Sequence, residues 1–253
     1  MDRCWANVLG DCSGGLSGEH IITESLFSGN NIGVKGMPWG REGYKFIGKA
    51  SYTSNILCRK HNSDLSPIDE AGTFAFATFR TMAEISTNRR GMLQSGVWAG
   101  RFDLVEQRIS GNGLERWLLK TLINMEIAGK QGYRVGPHAP PNKIDPELVE
   151  IAFGLRSFRD RAGLYFAAFE AEAINMQERV VYTSWIKGVP PDLSYVGAGA
   201  FSFYGFRYFL CLEPAGFPNS IDVQGRKMNL WHHVDTINVE LDDKPSQQVH
   251  LTW

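Results

Sequence analysis

The chain has little cysteine, four residues in 253. That excludes a disulfide framework as the source of its stability and fits a reducing compartment. It also lacks any apolar run of membrane-spanning length. The richest stretch, Phe201 to Leu212, is interrupted by Gly205 and Arg207 and reads as strand. Its first residues carry Asp2, Arg3 and Cys4 where a signal peptide has a basic and then an apolar stretch, so the expected residence is the cytoplasm, with no membrane partner. A Gly-rich phosphate loop, a nucleophile elbow and an internal repeat are all missing. So is an excess of positive charge: 26 Lys and Arg stand against 27 Asp and Glu. The overall balance therefore does not announce a nucleic-acid binder, whose sequence-independent affinity comes from cations on phosphates. What remains is the composition of an ordinary globular protein, 43% hydrophobic and 21% charged, long enough for two units.

The informative residues lie near the start. Cys4, Cys12, Cys58 and His61 form a set of three thiols and one imidazole that would close a tetrahedral zinc site, with Cys58-x-x-His61 at the spacing of a zinc knuckle. Such a site is structural, so chemistry must come from its surroundings. These hold Glu19-His20-Ile21-Ile22 before the knuckle and Asn62 directly after His61. Two plainer readings stay open: three ordinary buried thiols, and a core histidine at position 20.

The segments Leu16-Ser17-Gly18-Glu19-His20-Ile21-Ile22 and Leu57-Cys58-Arg59-Lys60-His61-Asn62-Ser63-Asp64-Leu65-Ser66 resemble the zinc-supported branch of the HNH endonucleases over roughly the first 80 residues. The resemblance implies a ββα-metal element and His20 as the general base. It implies Glu19 and Asn62 as holders of one divalent cation, magnesium or manganese, and nucleic acid, DNA before RNA, as substrate. It extends to a role in defence against foreign DNA. Glu19 stands where the family more often has Asp or His. For the family's last position, commonly histidine, the candidate is Asp69, seven residues after Asn62 and on the same face of a continuous helix.

The chemistry asks for these residue types in its own right. Phosphodiester hydrolysis needs a base that works near neutral pH, which imidazole supplies. It also needs a hard cation on carboxylate and amide oxygens. Because neighbours on a strand face opposite ways, Glu19 and His20 can act together only on a twisted strand or at its edge. Lys45, Lys49, Arg59, Lys60, Arg89 and Arg90 offer a local basic patch or a merely solvated face.

The expected architecture is α+β. Residues 1–90 form the ββα-metal unit with its zinc knot, and 91–253 form an α+β recognition or assembly domain with an antiparallel sheet and packed helices. That second domain would take a protein partner or a second copy of the chain. Positions 30–54, rich in glycine with Trp39 and Tyr44, predict a hairpin-bearing loop. Phe74, Ala77, Phe79 and Met82 predict a helix that ends at Thr87–Gly91. Asn112 caps a helix whose inner face is Leu114, Trp117, Leu118, Thr121, Leu122 and Met125, and Asp145-Pro146 opens another that carries Leu148, Ile151, Ala152 and Leu155 inward. Beyond these, alternation predicts strands at Val180–Ile186, Phe206–Leu212 and Ile237–Leu241. His232 and His233 should face opposite sides of a strand as structural residues, and Cys211 belongs to the core. The competing functions are a non-catalytic zinc-ribbon module that binds nucleic acid or protein, and an enzyme whose site lies in the second domain.

Overall fold

The structure, a computed structural model, describes residues 3–27, 29–34, 45–96, 102–129, 132, 134–140, 143–170, 182–187, 194–241 and 244–253. Trp39, Tyr44 and Val180 lie outside the described residues. In chain order the elements are β1 (Leu16–His20), β2 (Asn31–Val34), β3 (Lys45–Gly48), β4 (Thr53–Cys58), α1 (Arg59–Asp64), α2 (Ser66–Gln94), β5 (Val105–Ser110), α3 (Gly111–Gly129) and β6 (Arg134–Val135). Then follow α4 (Pro146–Ala152), β7 (Gly163–Phe169), β8 (Tyr182–Lys187), β9 (Tyr195–Phe203), β10 (Phe206–Cys211), β11 (Ser220–Val223), β12 (Arg226–His232), β13 (Thr236–Leu241) and β14 (Lys244–Thr252). The architecture is mixed α+β. None of its described helices is long and apolar enough to cross a membrane.

The chain forms two compact units. The first comprises Met1–Thr73, Arg116–Phe158 and Trp185–Ala198; the second comprises Phe74–Glu115, Arg159–Ser184 and Gly199–Trp253. In the first, β1 lies antiparallel to β4, β2 to β3, and β6 runs parallel to the start of β9. The β2–β3 pair is the hairpin expected from the glycine-rich stretch. α3 buries Trp117, Leu118, Thr121, Leu122 and Met125, the face that its periodicity marked. Its cap lies earlier than the sequence suggested: Ser110 Oγ accepts from Gly113 N at 2.9 Å, in place of Asn112. Asp145 caps α4 by accepting from Glu147 N, with Pro146 in the first turn. Leu148, Ile151 and Ala152 are buried, whereas Leu155 is exposed because the helix has already ended at Ala152.

Helices α1 and α2 are not one continuous helix. Pro67 has no N–H to continue the ladder, so the chain closes α1 at Leu65 and restarts there, with Ile68 N and Asp69 N both donating to Leu65 O. At its far end α2 runs past Thr87–Gly91 to Gln94. Thr87 stays within the helix, its hydroxyl donating to Ala83 O at 2.8 Å.

In the first unit α2 and α3 approach at Gly72, where an added Cβ would lie 2.2 Å from the Trp117 ring. Gly72→Ala should therefore destabilise the protein by about 1–3 kcal/mol through overpacking, although alanine is the better helix former. Urea unfolding of the variant checks this; an unchanged or raised midpoint would show that Trp117 can move aside.

The second unit is built on the strand order β11-β12-β7-β10-β9, with the pairs from β11 to β10 antiparallel. The Phe201–Leu212 stretch is not a single strand. It is the end of β9, a tight turn at Tyr204 and Gly205 (φ 50° and 77°), and β10. One sheet face carries Tyr165, Ala167, Cys211, Met228 and Leu230 as a buried cluster. Within this unit Phe79 of α2 packs on the rings of Phe203, Phe206 and Tyr208. A further sheet has order β13-β14-β5, with β5 parallel to β14.

Candidate metal centre and adjoining cleft

The Cys58-x-x-His61 spacing works because it straddles a helix start. Cys58 ends β4 and is the N-cap of α1, and its Sγ accepts from His61 N at 3.5 Å, so one turn folds the imidazole back over the thiol. Cys4 arrives alongside β4: Trp5 N donates to Ile56 O at 3.0 Å, and Cys58 N donates to Cys4 Sγ at 3.3 Å. A short 3-10 turn at Asn7–Leu9, closed by Gly10 in the left-handed region (φ 83°), reverses the chain and delivers Cys12.

The three sulfurs stand 3.4, 3.6 and 3.3 Å from His61 Nδ1 for Cys4, Cys12 and Cys58, and all four donor atoms lie within 4.8 Å of one another. Tetrahedral zinc with its usual bond lengths requires about 3.5 Å between a sulfur and the imidazole nitrogen, so the cluster has the dimensions of a closed Cys3His site and could hold a zinc ion. Its surroundings fit as well. With Nδ1 facing the sulfurs, His61 Nε2 is the protonated nitrogen and donates to Asp11 Oδ1 at 2.7 Å, the carboxylate support typical of ligating histidines. Lys60 and then His61 hold the Asp11 carboxyl down at about 2. Burial, followed by the neighbouring thiols, pushes Cys12 up to about 12. Burial works against Cys58 too, but N–H donors from His61 and Ser13 bring it below the ordinary thiol value. Three thiols this close do not all ionise unaided, and a divalent cation is what would stabilise them together.

Next to this cluster in the chain is a cleft of about 430 Å3 whose lining includes Glu19, His20, Thr23, Glu24, Lys49, Asn62 and Asp69. All four residues singled out for catalysis thus reach one cavity. Glu19 and His20 reach it together because the β1–β4 register is irregular between Ser17 and Glu19, where Gly18 sits, and because β1 stops at His20. Among the described residues His20 Nε2 is buried and makes no hydrogen bond, with Glu24 Oε2 3.2 Å away. Asn62 Nδ2 donates to Ser17 Oγ at 3.0 Å, which leaves its Oδ1 as the acceptor for the cleft.

The two carboxylates are placed differently from the sequence expectation. Lys120, buried on α3, puts its ammonium 2.5 Å from Glu19 Oε1 and 2.6 Å from both oxygens of Asp69. Asn124, one turn further along α3, donates to the same Glu19 oxygen at 3.0 Å and receives Trp5 Nε1 at 3.0 Å. Thr23 donates to Asp69 at 2.9 Å and accepts from Trp117 Nε1 at 2.8 Å. Burial raises the Glu19 carboxyl above its ordinary value, with Lys120 opposing that rise. Of the expected basic patch, Lys60 is paired with Asp11 and Asp64, while Lys49 lines the cleft 3.9 Å from Glu24.

In the second unit, His232 and His233 do not face opposite ways. β12 ends at His232 and His233 takes a positive φ of 44°, so the two rings stack at 3.9 Å, and His233 Nε2 meets Glu115 Oε2 at 2.8 Å. Cys211 is buried in the sheet as expected.

Comparison with protein-family models, with curated proteins and with solved structures finds no match for this chain. The site is therefore read from its own residues. Among these, Asp11, Glu24, Lys120 and Asn124 were not evident in the sequence. Asp11 stands next to Cys12 and could have been suspected as a supporting carboxylate. Lys120 and Asn124 lie some hundred positions from Glu19 and looked like unremarked polar positions of an amphipathic helix.

Proposed function

We propose that the chain is a metal-dependent HNH-type endonuclease that hydrolyses phosphodiester bonds of nucleic acid, DNA before RNA. The observation that carries this reading is convergence: His20, Glu19, Asn62 and Asp69, drawn from separate segments, line one cleft, and Asn62 directly follows the last donor of a Cys3His cluster. In this reading β1, β4 and α1 are the ββα-metal element, and the zinc is structural with no open position. His20 takes a proton from water, with Glu24 Oε2 3.2 Å from its Nε2 to stabilise the imidazolium that forms. The hydroxide so formed attacks phosphorus, the bond to the leaving sugar oxygen breaks, and that oxygen takes a proton from solvent. A magnesium or manganese ion, when bound, neutralises charge on the phosphate oxygens. Asn62 Oδ1 fits as one of its holders, with Glu19 Oε2, which lies outside the bonds made by Lys120 and Asn124. Asp69, with both oxygens on Lys120, orders the cleft. Residues 91–253 then serve recognition or assembly with a protein partner or a second copy, and the pathway is defence against foreign DNA.

One observation favours a second reading, a non-catalytic zinc-ribbon module for nucleic acid or protein: the Lys120 ammonium already neutralises Glu19 and Asp69, the cleft acids that would otherwise attract a divalent cation. Incubation with plasmid, linear and single-stranded DNA and with RNA, in magnesium, manganese or EDTA, separates the two. Metal-dependent product is expected, and His20→Ala should slow it by about 10²–10⁴-fold with zinc content and fold unchanged. A variant that cuts at the normal rate removes His20 as the base. Retention of nucleic acid without product under any metal establishes the binding module.

A further inference from the structure

The first unit contains a second cavity, of about 570 Å3, in the size range of small-molecule sites. Its walls include the apolar side chains of Trp5, Ile56, Ile144 and Val149, all buried. Arg3 and Lys143 also line it, and neither has an ion pair or a side-chain hydrogen bond among the described residues. No Asp or Glu is among the described residues that line it. Two exposed cations with no counter-charge among the described residues, at the rim of an apolar floor, make an arrangement that gains by taking up an anion, since the guanidinium and ammonium donors then find acceptors while the rest of the ligand packs against apolar walls. Trp5 is well suited to be the floor. Its Nε1 is already bonded to Asn124, so the indole asks nothing polar of a ligand.

We propose that this cavity binds a small amphiphilic anion: a phosphate, sulfonate or carboxylate group met by Arg3 and Lys143, joined to a flat apolar body that packs against Trp5, Ile56 and Val149. The site is separate from the cleft of His20 and Asn62, and the assignment stands whether or not the chain cuts nucleic acid.

The probe is 1-anilinonaphthalene-8-sulfonate, titrated into the full chain and read by dye fluorescence and by energy transfer from tryptophan. A saturable single-site isotherm is expected. Arg3→Ala with Lys143→Ala should weaken it by about tenfold or more. Asn55→Trp should abolish it by filling the cavity from an exposed position. The pair Arg108→Ala with Lys227→Ala removes the same charge from exposed positions elsewhere and should leave the isotherm alone. Each protein's unfolding midpoint is measured in parallel, so that dye taken up by a loosened fold is recognised. Binding that stays within about twofold of wild type in either cavity variant overturns the assignment, as does equal weakening by the control pair.

Discussion

Cys58→Ser is expected to leave the protein without stoichiometric zinc and to lower the midpoint of thermal unfolding by more than about 10 °C, because the binding energy of a structural zinc is folding energy and the loss of even a few kcal/mol moves a chain of this size that far. Serine isolates the metal's contribution. Cys58 has two functions, donor to the cluster and N-cap of α1, and a serine oxygen can still accept from His61 N while binding zinc poorly. Cys211→Ser is the matched control: it alters a thiol buried in the second unit that belongs to no metal-ligating cluster among the described residues, and zinc should be retained in full. Elemental analysis and calorimetry of the two variants beside wild type decide the matter. Wild-type protein free of zinc after growth in zinc-replete medium, with the midpoint of C58S, would leave the cluster as three thiols and a histidine without a metal role. The pH dependence has a defined sign. Zinc must displace protons from the thiols, and Cys12, pushed up to about 12, holds its proton firmly. Acidification should therefore release the metal, and alkaline conditions should retain it.

The parts of this molecule that could be read from its sequence are those whose partners are near in the chain. Cys58 and His61 sit one helical turn apart, so their spacing alone places sulfur and imidazole together, and Cys4 and Cys12 follow by chemical type. The Asp145-Pro146 start of α4 and the buried face of α3 are likewise local patterns. Errors arose where a side chain had a second option. The Thr87 hydroxyl could break α2 or bond back within it, and it bonds back. Ser110 and Asn112 both suit a cap, and the backbone chose Ser110. His233 could prolong β12 or turn out of it, and the positive φ that brings its ring onto His232 has no signature in a residue other than glycine. The cleft shows the limit most clearly. Glu19, His20 and Asn62 were legible as chemistry, but the cation that neutralises Glu19 comes from α3, and no local rule connects Lys120 to β1.

Lys120→Met should be the most damaging single change in the first unit, costing about 3–5 kcal/mol, since it removes one partner from a buried ion cluster and strands the other charges. Methionine keeps the length and apolar stem of lysine, so the packing loss is small and the effect isolates the ammonium. Glu19 is only 3% exposed and among the described residues keeps one side-chain donor, Asn124, while Asp69 keeps Thr23. Burial already raises the Glu19 carboxyl, and removing the lysine takes away the charge that opposes the rise. A carboxyl whose folded pKa is raised lends its stability below its unfolded pKa and loses it as pH climbs through the folded one. The defect of K120M should therefore be largest at alkaline pH and shrink on acidification as Glu19 takes up a proton. Glu19→Gln on the K120M background should recover part of the loss at pH 8 and little at pH 4, which urea unfolding at the two pH values would measure. A pH-independent defect, with no rescue by E19Q, would mean that Lys120 matters for its packing alone. The same variant bears on the cleft. With the ammonium gone, Glu19 and Asp69 become a pair of uncompensated carboxylates, and manganese should raise the midpoint of K120M more than that of wild type. If manganese shifts both proteins equally, the divalent ion is held without these carboxylates, and Asn62 must find its partner elsewhere in the cleft, with Glu24 the nearest acid to His20.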